Sequence, residues 1–215
     1  QGGGDVISLV MHTEDVDFKT ALERITGRKA ADPVDPEEQA RRAKEWAEKK
    51  RRQEAVAERQ RQKAQQRARK ILNMAHSPMP NGPVSQYLRI RGLGKLADAI
   101  DAGRSKLRIG EIDAFERRIL INSSQSWETI WTGPAMVAPI FQPNNKALGV
   151  HITFIDLDAP KGKAAMIDPN DGQPLKAKIM MGSQKQGAIR LYTPRAPKGM
   201  VTGEGIETTL TAMQE

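Results

Sequence analysis

Apolar residues recur along this chain with more than one period, and each period predicts a different element. From Asp5 to Met11 the pattern is loosely apolar and fits a short helix. From Asp17 to Gly27 it is helical. Phe18, Ala21, Leu22 and Ile25 share one face, Asp17 can cap the start, and Gly27 suits the stop. Two such short helices carry too little apolar surface to fold alone, so they are expected to pack on something else, such as a module with its own metal. The stretch Glu37–Leu72 contains neither Gly nor Pro and consists mostly of Ala, Glu, Lys, Arg and Gln, which are good helix formers. Pro33 and Pro36 precede it, and Ser77, Pro78 and Pro80 follow it. One continuous helix of roughly 54 Å is predicted, at 1.5 Å per residue. Its few apolar residues, Trp46, Val56, Ile71 and Leu72, keep no heptad, which argues against a coiled coil.

Further on, Pro83–Leu93 reads as a short helix ended by Gly92, and Lys95 to Ala102 as a second. The period then drops to two. Leu107–Gly110 and Arg118–Ile121 read as strands. The clearest hairpin runs out along Ala135–Phe141, turns at Pro143–Lys146 and returns along Ala147–Ile155, with Pro139 at an edge or bulge. At the far end, Met200–Thr202 reads as a strand, Gly203-Glu204-Gly205 as a tight turn, and the residues from Ile206 as a helix. The predicted class is α+β: an N-terminal helical remnant, a long charged helix, a mixed antiparallel subdomain, and the start of an α/β fold.

The net charge of +8 changes the picture because it is concentrated. Thirteen Lys and Arg against six Glu between Glu37 and Leu72 leave +7 there. Two readings stay open for this helix. One is a solvated spacer held by i,i+4 pairs such as Glu45–Lys49, and the other is a basic surface that follows a nucleic acid backbone. Apart from Trp46 no aromatic is interleaved, so base stacking is not expected along it. The chain has no cysteine, which excludes disulfides and thiolate zinc sites within these residues. No apolar run approaches the ~20 residues of a membrane helix, and no signal peptide is visible, so a soluble cytoplasmic protein is expected. The Gly-rich opening without an initiator Met and the close inside a helix suggest a fragment of a larger protein.

Candidate chemistry centres on Glu204. Between two glycines, at the expected end of a strand and start of a helix, its carboxylate could hold Mg²⁺ or move a proton in phosphoryl transfer. Lys178, Lys185 and Arg190, expected on a loop between two strands, would make a phosphate cradle; the competing reading is a set of surface cations. Asp156 and Asp158 form an Asp-x-Asp after a strand but stand upstream of Glu204. His12, His76 and His151 are too far apart in sequence to suggest a metal site. Trp127 and Trp131 flank an expected loop, where they would stack on a base or fill a small core.

In this order the features resemble the bacterial-type DNA primases, in particular the Toprim-containing branch of phages and mobile elements. Gly3–Met11 with the Phe18–Ile25 helix resembles the tail of the zinc-binding domain. Tyr87-Leu88-Arg89-Ile90-Arg91-Gly92-Leu93 is similar to the Tyr-Leu-x-x-Arg-Gly-Leu run that opens the polymerase domain. Met136–Phe141, the turn and Ala147–Gly149 resemble the hairpin of the basic subdomain, and Lys178–Tyr192 the basic loop leading into Toprim. Val201–Thr208 is similar to the first Toprim motif. The resemblance divides the chain into a zinc-domain tail (1–30), a charged helical linker (31–80), a primase basic subdomain (81–198) and the start of Toprim (199–215). It implies template-directed synthesis of RNA primers for DNA replication. Glu204 would be the catalytic glutamate beside Mg²⁺, in a site left incomplete here, and Lys178, Lys185 and Arg190 would contact nucleic acid or nucleotide phosphates. Zinc would belong to the parent protein only, and the aspartates that complete the Mg²⁺ site would lie past Glu215. Partners implied are a single-stranded DNA template and nucleoside triphosphates, with room for a replicative helicase. Glu207 takes the second acidic place of the motif, or is an N-terminal acid that offsets the helix dipole. Arg91 would bind nucleic acid or support the Gly92 turn. A non-catalytic nucleic-acid-binding replication module is the alternative.

Overall fold

The computed structural model describes residues 5–27, 36–196 and 199–214. Gly3, Gly4, Pro33 and Glu215, which carry parts of the expectations above, lie outside them. The chain divides into two compact units, Gln1–Val56 and Ala57–Glu215.

In the first unit, α1 (Val6–Thr13) and α2 (Phe18–Thr26) are capped as their sequences require. Asp5 Oδ1 accepts the Ser8 N–H and Asp17 Oδ1 the Thr20 N–H, both at 2.9 Å. Arg24 pairs with Glu14 across the two helices. Of their described residues only Ala21 is buried, while Val6, Leu9 and Phe18 are exposed. The thin core expected here is what is found. The long helix α3 (Pro36–Met74) follows the prediction to within two residues at either end. Its ion pairs are local: Arg42–Glu38 at 2.5 Å, Arg52–Glu48 at 2.6 Å and Arg61–Glu58 at 2.5 Å. Glu45 faces Arg41 rather than the expected Lys49. Exposed pairs of this kind each contribute about 0.3–0.5 kcal/mol.

The second unit is built on an antiparallel sheet, which with the helices gives the predicted α+β class. Strands β1 (Gly110–Ile121), β2 (Ser126–Phe141) and β3 (Ala147–Phe154) form a meander. The strand β6 (Lys178–Gly182) adds to β3, and β7 (Ala188–Ile189) pairs with the end of β2. A separate ribbon joins β4 (Met166–Ile167) to β5 (Pro174–Leu175). The period-two alternation divides the central strands between two cores. Val150, Ile152 and Phe154 of β3, with Ala135 and Val137 of β2, pack with Ala68 and Ile71 of α3. Met136, Ala138 and Ile155 pack with three short helices, α4 (Pro83–Ile90), α5 (Gly94–Asp101) and α6 (Ile206–Gln214), through Tyr87, Leu88, Ile100 and Leu210. The sheet is therefore covered on both faces, which is why its middle strands read as nearly continuous apolar runs.

Three expectations need correction. Leu107–Ile109 is not a strand; Arg108 donates its N–H to the Leu191 carbonyl at 2.7 Å, and regular pairing starts only at Gly110. The segment around Trp127 and Trp131, read as flanking a loop, is the first half of β2 paired along β1. Trp131 packs edge-on against Phe154 with ring centres 5.3 Å apart, so it fills core, whereas Trp127 is exposed. Met200–Thr202 is not a strand; among the described residues it has no ladder partner, and a strand exists only through its neighbour's hydrogen bonds. Pro139 stands in β2 between the last β1 partner, opposite Val137, and the first β7 partner, opposite Ile140, where its missing N–H costs least.

Gly182 ends β6 with φ +83°, and an added Cβ would lie 2.3 Å from the Leu148 carbonyl oxygen. Gly182→Ala is expected to lower stability by about 1–3 kcal/mol through backbone strain and collision. Urea denaturation followed by circular dichroism measures this, and an unchanged midpoint would contradict the β3–β6 register.

Candidate functional site

Glu207 is the second residue of α6, where a carboxylate meets the unpaired N–H groups of a helix start. It is buried, and three side chains from three different segments converge on it. Tyr87 of α4 donates its phenol to Oε1, Lys163 Nζ lies 3.0 Å from Oε1, and Lys178 Nζ of β6 lies 2.6 Å from Oε2. Each donor has a local reason to be there. Tyr87 is on the buried face of α4 with Val84 and Leu88. Lys163 bridges back to Ile155 after the tight turn that Asp156 organises, with the Asp158 N–H donated to Asp156 Oδ1 at 3.1 Å. Lys178 faces Thr153 across the β3–β6 ladder.

The electrostatics follow from burial and from these contacts. Burial pushes the Glu207 carboxyl up, but the hydrogen bonds from Lys178 and Tyr87 outweigh it and hold the group well below the ordinary carboxylate range. Burial, with help from the Glu207 carboxylate, raises the Tyr87 phenol. Burial lowers Lys163 despite its bond to Glu207, with Lys178 and Arg91 adding repulsion. His151 of β3 shares this environment. Burial, then the Lys178 charge, lowers its pKa to about 4, so it is neutral at pH 7. Two ammonium groups thus meet one carboxylate, with the Arg91 guanidinium close enough to repel Lys163, which leaves an excess of positive charge. His151 Nδ1, Thr153 Oγ1 and Arg91 Nε are buried there without a protein hydrogen-bond partner. His151 and Thr153 are two apart on β3 and so share one face, and Thr153 faces Lys178. Buried polar atoms left unpaired are rare and mark places where something else completes them. Chemically, the arrangement can take an anion.

Of the residues expected to contact phosphate or Mg²⁺, only Lys178 is in this cluster, on a strand rather than the expected loop. There it meets Glu207, for which sequence left two roles open. Lys185 is exposed in the turn after β6. Arg190, just past β7, donates to Asn145 Oδ1 at 2.5 Å and stands over the Phe141 ring at 5.9 Å. Glu204 is exposed in the bend before α6. Among the described residues no group of three potential ligands includes it, and both Glu207 oxygens are taken by cations and a phenol. These residues do not fit a Mg²⁺ site, which requires several free oxygen donors. Asp156 and Asp158 serve the turn. Tyr87 and Lys163 escaped the sequence reading as site residues because nothing in their spacing connects them; they meet only through Glu207. His151 was dismissed on sequence spacing, which says nothing about neighbours across a sheet.

Residues 62–191 match the family described as Domain of unknown function (DUF7146), and the chain belongs to that family. No curated protein and no solved structure matches it. The matched span includes Tyr87, Arg91, His151, Lys163 and Lys178, whereas Glu207 lies past its end. Among the described residues no helix is long and apolar enough to cross a membrane.

Two pH effects have definite sign. His151 is depressed from 6.5, so protons favour the unfolded chain, and stability is expected to fall by up to about 3 kcal/mol as pH drops from 6.5 towards 4. Glu207 is depressed below 4.5, so its contribution is present above that value and is lost only as pH falls below it. Urea titrations between pH 7.5 and 3.5 check both. His151→Gln should flatten the upper part of the decline and Glu207→Gln the lower part. Glu207→Gln should itself destabilise at pH 7 by about 3 kcal/mol, because it strands two lysines.

Proposed function

We propose that the Glu207 cluster binds phosphate, and that the chain is the nucleic-acid-handling part of a template-directed RNA primer synthase. The observation that carries the first half is the surplus of cationic groups: Lys163 and Lys178 on a single carboxylate with Arg91 nearby, and His151 and Thr153 carrying unpaired polar atoms beside them. Glu207 holds the two ammonium groups in place and leaves them charge to spare. The singly charged phosphodiester and the multiply charged triphosphate both offer the hard anionic oxygens that such a group recognises. The second half rests on the order of sequence features described above, and on Glu204 being exposed in the bend that leads into α6, the same helix that carries Glu207. The basic helix α3 adds a sequence-independent attraction for a polyanion.

A second reading is that this chain binds single-stranded DNA and does no chemistry of its own; the absence of a ligand group around Glu204 among the described residues is expected on both. The two readings agree on binding and differ on synthesis. In fluorescence anisotropy with a labelled single-stranded DNA, Lys163→Gln and Lys178→Gln should each weaken binding by about tenfold and reduce the salt slope by roughly one unit. Binding and slope unchanged in both variants would remove the cluster from the nucleic acid path. With template, Mg²⁺ and nucleoside triphosphates, this chain alone is expected to make no primer; any product that disappears in Glu204→Gln would show that its own residues suffice.

A further inference from the structure

The geometry points to a divalent transition-metal site, of the zinc class, formed by His76, Glu111 and Asp113 at the start of the sheet. None of these residues belongs to the Glu207 cluster, so the inference does not depend on the phosphate reading. Its frame is made by the main chain. His76 and Glu111 face each other in an antiparallel bridge, exchanging N–H···O bonds of 3.0 and 2.9 Å. Asp113 is two residues beyond Glu111, in the irregular stretch of β1 between Ile112 and Phe115, and its carboxylate comes close to that of Glu111. One ligand atom from each of the three residues lies within 4.8 Å of the other two. Two donors on a tetrahedral zinc ion at about 2.1 Å stand about 3.4 Å apart, so the group must close in when an ion binds. His76 Nε2 and Asp113 Oδ1 already stand 3.3 Å apart, and the Asp113 side chain is exposed and free to move.

The hydrogen bonds around the three residues distinguish this cluster from a chance meeting of acids. His76 Nδ1 lies 2.9 Å from the Ser77 carbonyl, and a carbonyl only accepts, so Nδ1 carries the proton. In the neutral ring Nε2 is then a lone pair, yet it faces Asp113 Oδ1 at 3.3 Å. That contact is made either by a proton on Nε2, as an ion pair with Asp113, or by a cation that both atoms bind. Glu111 is fully buried, and its Oε2 accepts the Val84 N–H at 2.8 Å while Oε1 has no partner. A second proton on His76 would satisfy Asp113 alone, and a dication would in addition give the buried Glu111 carboxylate a charged partner. Both inner ligands thus have their other polar atom pinned by backbone, the outer-shell arrangement that fixes imidazole and carboxylate orientation around metals. Gly82 contributes space, since a Cβ there would sit 2.8 Å from Glu111 Oε1. One imidazole nitrogen with two carboxylate oxygens suits zinc, cobalt or manganese rather than an all-oxygen magnesium or calcium site.

The test titrates the whole chain with Co²⁺, following its visible absorption, and then displaces it with Zn²⁺. One equivalent should bind at micromolar concentration, and Zn²⁺ should raise the melting temperature. His76→Ala and Asp113→Asn, both at accessible side chains that leave the Glu111 helix contact intact, should each weaken binding at least tenfold, while His12→Ala should not change it. No cobalt band and no zinc-induced shift at millimolar metal would overturn the site. So would stoichiometric binding that survives His76→Ala, which would locate the ion elsewhere.

Discussion

A single buried carboxylate holds the second unit's helices, sheet edge and turn in register. Glu207 enters from α6 and accepts from α4 through Tyr87, from β6 through Lys178, and from the turn after β3 through Lys163. Removing a charge from water carries a cost of several kcal/mol, and it is sustained only when hydrogen bonds and opposite charges fill the vacated hydration sites. Here that condition is met by three donors that are far apart in sequence. The last helix is therefore not simply laid on the core by Ile206 and Leu210; its orientation is fixed by a polar lock beside them.

The lock also explains the unusual state of its surroundings. Lysines in contact with one carboxylate cannot all be neutralised by it, and burial, with the Lys178 charge added, keeps His151 a neutral imidazole beside them. A site with fixed cations and uncharged polar atoms is preorganised for an anion, since little reorganises when one arrives. The family match ends before Glu207, so Lys163, Lys178 and Arg91 lie within the matched span while the carboxylate that positions the two lysines lies past it.

A second polar arrangement, on the far side of the α4 start, uses the same economy. Glu111 is buried and serves the N-terminus of α4 from a neighbouring strand, a cap supplied in trans because Gly82 at the N-cap has no side chain to offer. His76 and Asp113 bring a further ligand atom each to within 4.8 Å of a Glu111 carboxylate oxygen, the group on which the proposed metal site rests. In both places a buried glutamate ties a helix start to another element.

The helices were legible in the sequence because their signals are local. Asp17 and Gly27 bound α2, the Gly- and Pro-free basic run became α3, and the Ala135–Ile155 hairpin was visible from alternation and its Asn-rich turn. Strand β6 and the first half of β2 were missed because short or amphipathic strands acquire their identity from a neighbour's hydrogen bonds. The same divide separates the candidate sites. Composition alone determined that this is a basic chain without cysteine chemistry, and residue order alone carried the resemblance that drew attention to Glu204 and Lys178. Only the tertiary structure decided that Lys178 answers to Glu207 rather than Glu204, that Lys163, Tyr87 and His151 stand with it, and that His76 faces Glu-x-Asp across a bridge. Convergence of side chains from different strands is set by register and packing, and neither is written in sequence spacing.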